Sequence, residues 1–247
     1  MKSRSVFSAL SRLRQRLRPV LSRSRRFVKD VLYPEEALCL VCGAVVRSGS
    51  LCETCRASLL QEDFFSFWAY ESLDGVPAYS LHPHRSVARR LVLELKHQAA
   101  ACAAEELAAL LLPLPDFLSF TPDTVVTWVP MPARRRRERC IDHGRVLAEA
   151  FAARLNLPCR QLLIRRNDGG RTQASLNRKA RQANLRHAFG PAGPVRCPVL
   201  LVDDVLTTGT TALRCIEVLR KAGAPEITVL TATRASRSRT AGPGTGG

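Results

Sequence analysis

One stretch decides the fold: VLLVDDVLTTGTTA, which runs from Val199 to Ala212. Its four leading apolar residues are typical of a strand that is buried on both faces of a parallel sheet. Two carboxylates, Asp203 and Asp204, follow directly, and a threonine turn around Gly209 comes next. Such a turn at the start of a helix offers backbone N–H groups and hydroxyls to a phosphate. The stretch therefore predicts a strand, a turn and a helix, with an anion site beside two acids.

A sugar phosphate explains why carboxylates stand next to an anion site. The two aspartates would accept hydrogen bonds from ribose hydroxyls, and a Mg²⁺ ion on the ligand would reduce the repulsion between negative oxygens. The turn has neither the lysine nor the spacing of a Walker loop, and it is not a Rossmann fingerprint. The alternative is an acidic strand end followed by an ordinary N-capped helix. The predicted phosphate turn consists of Thr207, Thr208, Gly209, Thr210 and Thr211.

The rest of the chain predicts an α/β fold with a mainly parallel sheet flanked by helices, since strands alternate with helices after residue 76. The predicted strands are 76–81, 124–129, 162–164, 199–202 and 227–233. The predicted helices are 87–95, 105–112, 145–155 and 210–221. We expect a phosphate-binding domain over 76–234. Residues 235–247 have no periodicity and are predicted to form a disordered tail.

Four of the nine cysteines form two Cys-x-x-Cys hooks that are separated by nine residues. Each hook directs two thiolates to one point, so two hooks can complete a tetrahedron around Zn²⁺ and leave no position open for chemistry. Buried thiols or a redox pair are the alternatives. The pattern predicts a small structural zinc module over 31–70, and its ligands are Cys39, Cys42, Cys52 and Cys55.

The charge is strongly positive, at a formal +17, which favours encounters with nucleic acids, anionic surfaces or phosphorylated ligands without distinguishing among them. Residues 1–30 contain ten Lys or Arg and one acid, with apolar residues at helical spacing. They are therefore predicted to form a basic extension that is flexible or amphipathic. No apolar run reaches the ~20 residues of a membrane span. With no signal-peptide pattern and with unpaired cysteines, a cytoplasmic location is expected.

Five pieces of sequence, in order, resemble the ComF family of competence proteins, also called GntX-like or amidophosphoribosyltransferase-like. The pieces are LYPEEALCLVCG with LCETC, Tyr79 with LVLELKH, VPMPARRRRER, RRNDGGRTQASLNRKARQANLRHAF, and the opening stretch. The last is similar to the signature of type I phosphoribosyltransferases for 5-phosphoribosyl-1-diphosphate (PRPP). The resemblance spans roughly residues 30–234. It implies a type I phosphoribosyltransferase fold with an N-terminal four-cysteine zinc module.

The resemblance also implies roles for individual residues. Asp203 and Asp204 would bind the ribose diol and, through water, Mg²⁺, while the threonine turn would bind the 5′-phosphate. The turn that contains Pro130, Met131 and Pro132 would face the pyrophosphate. Further candidates for the pyrophosphate and for a mobile hood over the ligand are Lys96, Arg134, Arg166, Thr172, Gln173, Arg181 and Asn184.

The implied activity is transfer of a phosphoribosyl group from PRPP to an unknown acceptor, linked to competence and DNA uptake. The alternative is a non-catalytic accessory factor that binds PRPP or a nucleotide and acts beside a competence ATPase and single-stranded DNA. A transcriptional regulator that senses PRPP is less favoured, since no helix-turn-helix pattern is found. The sequence departs from the family where Cys140-Ile141-Asp142-His143 replaces a Gly-aromatic-Asn-Gln segment. This departure affects the acceptor side more than the PRPP side.

Overall fold

The computed structural model describes residues 37–60, 69–97, 100–111, 118–139, 141–166 and 188–235. The predicted extension over 1–30 and nearly all of the predicted tail lie outside these residues, as do the hood candidates Thr172, Gln173, Arg181 and Asn184. None of the helices within the described ranges is both long enough and apolar enough to cross a bilayer.

A five-stranded sheet forms the centre of the fold. Its strands are β3 (Ala69–Leu73), β4 (Val76–Pro83), β5 (Val125–Trp128), β8 (Val199–Leu206) and β9 (Ile227–Arg234). They lie in the order β3-β4-β9-β8-β5, in which the last four are parallel to one another and β3 is antiparallel to β4 at the edge. The predicted α/β class with a mainly parallel sheet flanked by helices is confirmed.

Helices cover both faces of the sheet because side chains of the inner strand β8 alternate between two cores. Leu200 and Val202 of β8 face one core, and Val199 and Leu201 face the other. The first core contains α2 (Ser86–Glu94), α3 (Ala100–Ala109) and α5 (His143–Leu155). The second contains α6 (Thr210–Lys221) and a hairpin of β6 (Leu163–Arg165) with β7 (Phe189–Pro191). Helix α6 has the bounds predicted from its periodicity.

The sheet begins earlier than the predicted boundary at residue 76, because β3 pairs with β4 through a tight turn at Asp74-Gly75. Both turn residues have positive φ, 53° and 77°, which suits a two-residue hairpin of the Asp-Gly type. Arg220 of α6 donates to the Asp74 carboxylate at 2.7 Å and to its carbonyl at 2.9 Å. The Asp74-Gly75 turn is therefore hydrogen-bonded to α6, the helix that follows the predicted phosphate turn.

The small N-terminal module consists of strands β1 (Ala37–Leu38) and β2 (Val45–Val46) and helix α1 (Glu53–Leu60). Its buried residues Leu51 and Leu59 belong to the same core as α2 and α3. Arg56 of α1 also donates to the nearly buried Glu106 of α3 at 2.9 Å. The module therefore packs on the helical layer of the larger domain.

Two elements differ from the sequence-based prediction. Strand β8 continues to Leu206 instead of ending at Val202, because Asp203, Val205 and Leu206 pair in register with β9. The arginine run forms a short helix, α4 (Ala133–Arg139), in which no residue is buried. A run of arginines shows no apolar periodicity, so the helix could not be recognised from hydrophobic pattern.

Candidate functional site

The two aspartates lie near the carboxyl end of β8, which is between β9 and β5 in the sheet. The connections that follow β5 and β8 lead to opposite sides at this point. After β5 the chain passes through α5 and returns on the outer side of β5, where Cys159 forms a parallel bridge with Val126. After β8 it passes through α6, on the other face, to β9 on the inner side. Connections that diverge in this way open a crevice beyond the strand ends, and ligands of parallel sheets bind in such crevices.

The predicted phosphate turn follows β8 and opens α6. Gly209 is the N-cap residue of α6, with a positive φ of 74°. A Cβ on Gly209 would come within 2.8 Å of a methyl group of Leu73, so glycine is needed for both backbone conformation and space. Thr207 and Thr208 are exposed, and the Thr208 hydroxyl lies 2.9 Å from that of Thr210. The turn thus presents hydroxyls and the first amides of a helix to the crevice.

Asp203 is partly buried at this strand end. Its Oδ1 accepts a hydrogen bond from the Asp204 backbone N–H at 3.0 Å. Burial, followed by the neighbouring Asp204 charge, raises the pKa of the Asp203 carboxyl well above its usual range. The two adjacent carboxylates repel each other in a partly enclosed crevice. A cation or hydroxyl donors would reduce this repulsion, so their binding is favoured.

Asp204 has basic groups on two sides. Its Oδ2 lies 3.2 Å from Nζ of Lys96, which follows α2, and 3.8 Å from Nε2 of His143, the first residue of α5. Burial lowers the pKa of His143; the Asp204 charge opposes that shift, while Lys96 and Arg139 reinforce it. Lys96, predicted as a pyrophosphate candidate, therefore contacts a carboxylate of the site in this structure.

The predicted pyrophosphate turn lies beside the same strand end. Val129 N–H donates to the Val202 carbonyl at 3.1 Å, and this bond places the turn next to β8. Pro130 and Met131 are buried, and Pro132 is partly exposed. Gly144 permits the close approach of α5, since a Cβ there would lie 3.2 Å from the Val129 carbonyl oxygen.

The two predicted arginines, Arg134 and Arg166, make their contacts with residues other than the two acids. Arg134 is exposed on α4 and pairs with Glu138 at 2.7 Å. Arg166 follows β6, where its N–H donates to the Ala188 carbonyl and its guanidinium packs over Gly190 of β7. The structure therefore brings Lys96 into contact with Asp204 and holds the proline turn beside β8. Among the described residues, the contacts found for Arg134 and Arg166 are with other groups.

The loop after β4 was not predicted as part of the site. His84 Nδ1 lies 2.8 Å from the Thr233 hydroxyl, which also donates to the Asp204 carbonyl at 3.2 Å. Ser86 has a positive φ of 44°, which is uncommon outside glycine and concentrates at functional sites. A sequence signal was available, since HPHRS follows directly on a predicted parallel strand and so reaches the same sheet edge.

The four hook cysteines form one cluster in which all four sulfur atoms lie within 4.8 Å of one another. Sulfurs around a tetrahedral Zn²⁺ would be about 3.8 Å apart for Zn–S bonds of about 2.3 Å, and Cys42 and Cys52 are 3.6 Å apart. Against the effect of burial, backbone hydrogen bonds lower the pKa of Cys39 to about 6, whereas burial and hydrogen bonds from the other cluster cysteines raise the pKa of Cys55. The donor set therefore fits a structural zinc ion.

Sequence comparisons identify relatives that cover part of the chain. No protein-family model matches it. Competence protein F of Haemophilus influenzae is 34% identical over 119 residues, which cover 46% of this chain and 51% of the relative. The DNA utilization protein YhgH of Escherichia coli is 30% identical over 109 residues, 44% of this chain and 48% of the relative. The chain thus spans about half the length of these curated relatives.

An enzyme is also similar to the chain in sequence: amidophosphoribosyltransferase 1 of Arabidopsis thaliana is 35% identical over 88 residues, 35% of this chain and 16% of the enzyme. Among solved structures, an allosteric regulatory enzyme of purine biosynthesis matches 57% of this chain and 30% of its own, with 23% identity and a TM-score of 0.40. The adenine phosphoribosyltransferase of Giardia lamblia matches 71% and 97%, with 17% identity and a TM-score of 0.33.

Proposed function

We propose that this chain is a ComF-type protein that binds PRPP with Mg²⁺ and transfers the phosphoribosyl group to an acceptor, in keeping with its partial similarity to competence protein F and to the DNA utilization protein YhgH. One observation supports this proposal above the others. Two adjacent carboxylates and a hydroxyl-rich turn that opens a helix lie at the same strand end, where diverging connections open the sheet.

Different residues of the crevice would bind different parts of the ligand. The threonine turn would bind the 5′-phosphate through hydroxyls and the amides at the start of α6. Asp203 and Asp204 would accept hydrogen bonds from the ribose hydroxyls and hold Mg²⁺ through water, since carboxylate oxygens and waters are the donors that this ion prefers. The turn over Pro130, Met131 and Pro132 would lie beside the pyrophosphate.

The reaction would exchange one bond at ribose C1 for another. The bond from C1 to the pyrophosphate oxygen breaks, the acceptor forms the new bond to C1, and the acceptor loses a proton to solvent or a nearby base. Mg²⁺, when bound with the ligand, supplies positive charge to the departing pyrophosphate. The chain's own contribution is to position the ribose and to place the two carboxylates near the ring as it becomes positive.

Calorimetry with PRPP and MgCl₂ tests the binding step directly. Replacing both acids, Asp203→Asn with Asp204→Asn, should weaken PRPP binding at least about tenfold, since each hydrogen bond to a charged group is worth about 1.5–3 kcal/mol. Asp123→Asn is a matched control, because Asp123 is an exposed acid on the loop before β5. No binding heat with the wild-type chain, or equal affinity in the double variant, would contradict the proposal.

A second candidate is a non-catalytic accessory factor in DNA uptake that binds PRPP or a nucleotide. The exposed arginines of α4, which directly follow the pyrophosphate turn, favour contact with an anionic strand. The two candidates differ in turnover. A phosphoribosyltransferase releases pyrophosphate when the correct base or amine is supplied, whereas an accessory factor releases none across a broad acceptor panel. The accessory role further requires salt-sensitive binding of oligo(dT) that weakens when Arg135 and Arg136 become serine.

A further inference from the structure

The chain itself places a cation at the acid pair, the ammonium group of Lys96. Its Nζ lies 3.2 Å from Asp204 Oδ2, and the two side chains are 28% and 17% exposed, so water screens the pair only partly. Within the described ranges, the ion pair found for Lys96 is with Asp204. His143 Nε2 approaches the same oxygen at 3.8 Å from the other side. Asp204 Oδ2 therefore has a positively charged partner that the chain itself supplies.

The backbone of Lys96 is fixed while its side chain can move. The Lys96 N–H donates to the Leu93 carbonyl at 3.0 Å in the last turn after α2, and the adjacent Leu95 is fully buried. The four-carbon side chain beyond this anchor has many rotamers, so the ammonium can exchange one oxygen partner for another within a few ångströms. A phosphate-rich ligand in the crevice would offer such oxygens.

From this arrangement we infer that Lys96 is an exchangeable counter-ion: it pairs with Asp204 when no phosphate ligand is bound and moves to the ligand's phosphate oxygens on binding. The inference rests on the proposed function and adds an order of events to it. A divalent cation alone competes with the ammonium for Asp204. When PRPP binds, Lys96 moves to the ligand and the Asp204 carboxylate becomes available to the cation. Binding of the ligand and binding of the cation therefore favour each other.

Removal of the lysine should therefore move two affinities in opposite directions. Lys96→Met keeps most of the length and volume and removes the charge. Mn²⁺ alone, followed by the loss of its free-ion electron paramagnetic resonance signal, should bind at least about fivefold more tightly to this variant than to the wild type, the lower end of usual coupling between sites. PRPP in MgCl₂, followed by calorimetry, should bind at least about tenfold more weakly.

Two further variants separate this mechanism from a general effect of charge or folding. Lys96→Arg keeps the positive charge and should leave Mn²⁺ binding close to that of the wild type. Arg90→Met removes a positive charge from α2, the helix that precedes Lys96, but Arg90 pairs with Glu94 instead of the site, so both affinities should stay unchanged. Urea unfolding of each variant checks its fold, and Lys96→Gln replaces Lys96→Met if the latter is less stable.

Each outcome decides one part of the inference. Mn²⁺ binding that is unchanged or weaker in a folded Lys96→Met variant overturns the counter-ion. Tighter Mn²⁺ binding with unchanged PRPP affinity overturns the transfer of Lys96 to the ligand. A wild-type chain that binds no PRPP refutes the proposed function instead, and the Mn²⁺ measurement still tests the ion pair. Opposite shifts in the two affinities, absent in Arg90→Met, support the inference.

Discussion

Gly209→Ala should destabilise the domain more than an ordinary glycine substitution, because two independent costs meet at this position. The backbone φ of 74° is left-handed, which costs a residue with a Cβ about 1–2 kcal/mol. The added Cβ would also lie 2.8 Å from Leu73 Cδ2, and forcing extra volume into a packed site costs about 1–3 kcal/mol. We therefore expect the free energy of unfolding to fall by roughly 2–5 kcal/mol.

Gly75→Ala is the matched control for the backbone cost alone. Its φ is 77°, and the nearest atom to a new Cβ is the flexible Arg220 Nη2 at 4.0 Å. This substitution should cost only about 1–2 kcal/mol. Both variants lose the same flexibility in the unfolded chain, so that effect cancels in their difference. The difference between them, measured by urea unfolding, is therefore the packing cost against Leu73.

A double-mutant cycle assigns that cost to its partner. In a Leu73→Ala background the methyl group is gone, so Gly209→Ala should lose its packing cost and keep its backbone cost. The coupling between the two substitutions should be about 1–3 kcal/mol in the compensating direction. Equal losses for Gly209→Ala and Gly75→Ala, or no coupling with Leu73→Ala, would refute the reasoning. The Gly209→Ala variant should also bind PRPP more weakly, because the turn must shift away from Leu73.

Two other measurements test the module and the histidines. Elemental analysis should find about one zinc per chain. The Cys52→Ser variant should lose the zinc, and Cys102→Ser, which lies outside the cluster, should keep it. A wild-type chain that is folded without metal would contradict the zinc module. Burial lowers the pKa of both His84 and His143, so the unfolded chain binds more protons than the native one below about pH 6.5 and stability should fall as the pH falls. His143→Gln should lose less stability than the wild type between pH 7.5 and 5.5 in urea unfolding, and equal losses would show that His143 contributes nothing to this dependence.

Local chemistry was sufficient for the elements whose determinants are adjacent in the chain. The bounds of α6 follow from its own periodicity, and the threonine turn with its glycine stands directly before it. Four cysteines in two hooks indicate one cluster, because the spacing within each hook already directs its thiolates together. The parallel α/β class likewise follows from alternation along the chain. In each case the interactions that determine the structure are between residues close together in the chain.

Contacts between distant segments could not be read in the same way. Lys96 meets Asp204 only because the loop after α2 and the end of β8 reach one edge of the sheet, and strand order decides that. Leu73 contacts Gly209 from the β3 hairpin, which no hydrophobic pattern predicted. The amino-acid sequence alone indicated the acid pair, the threonine turn and the cysteine hooks, since each of these is a short motif. Only the tertiary structure decided which of them touch, because the order of strands in a sheet depends on packing of the whole chain.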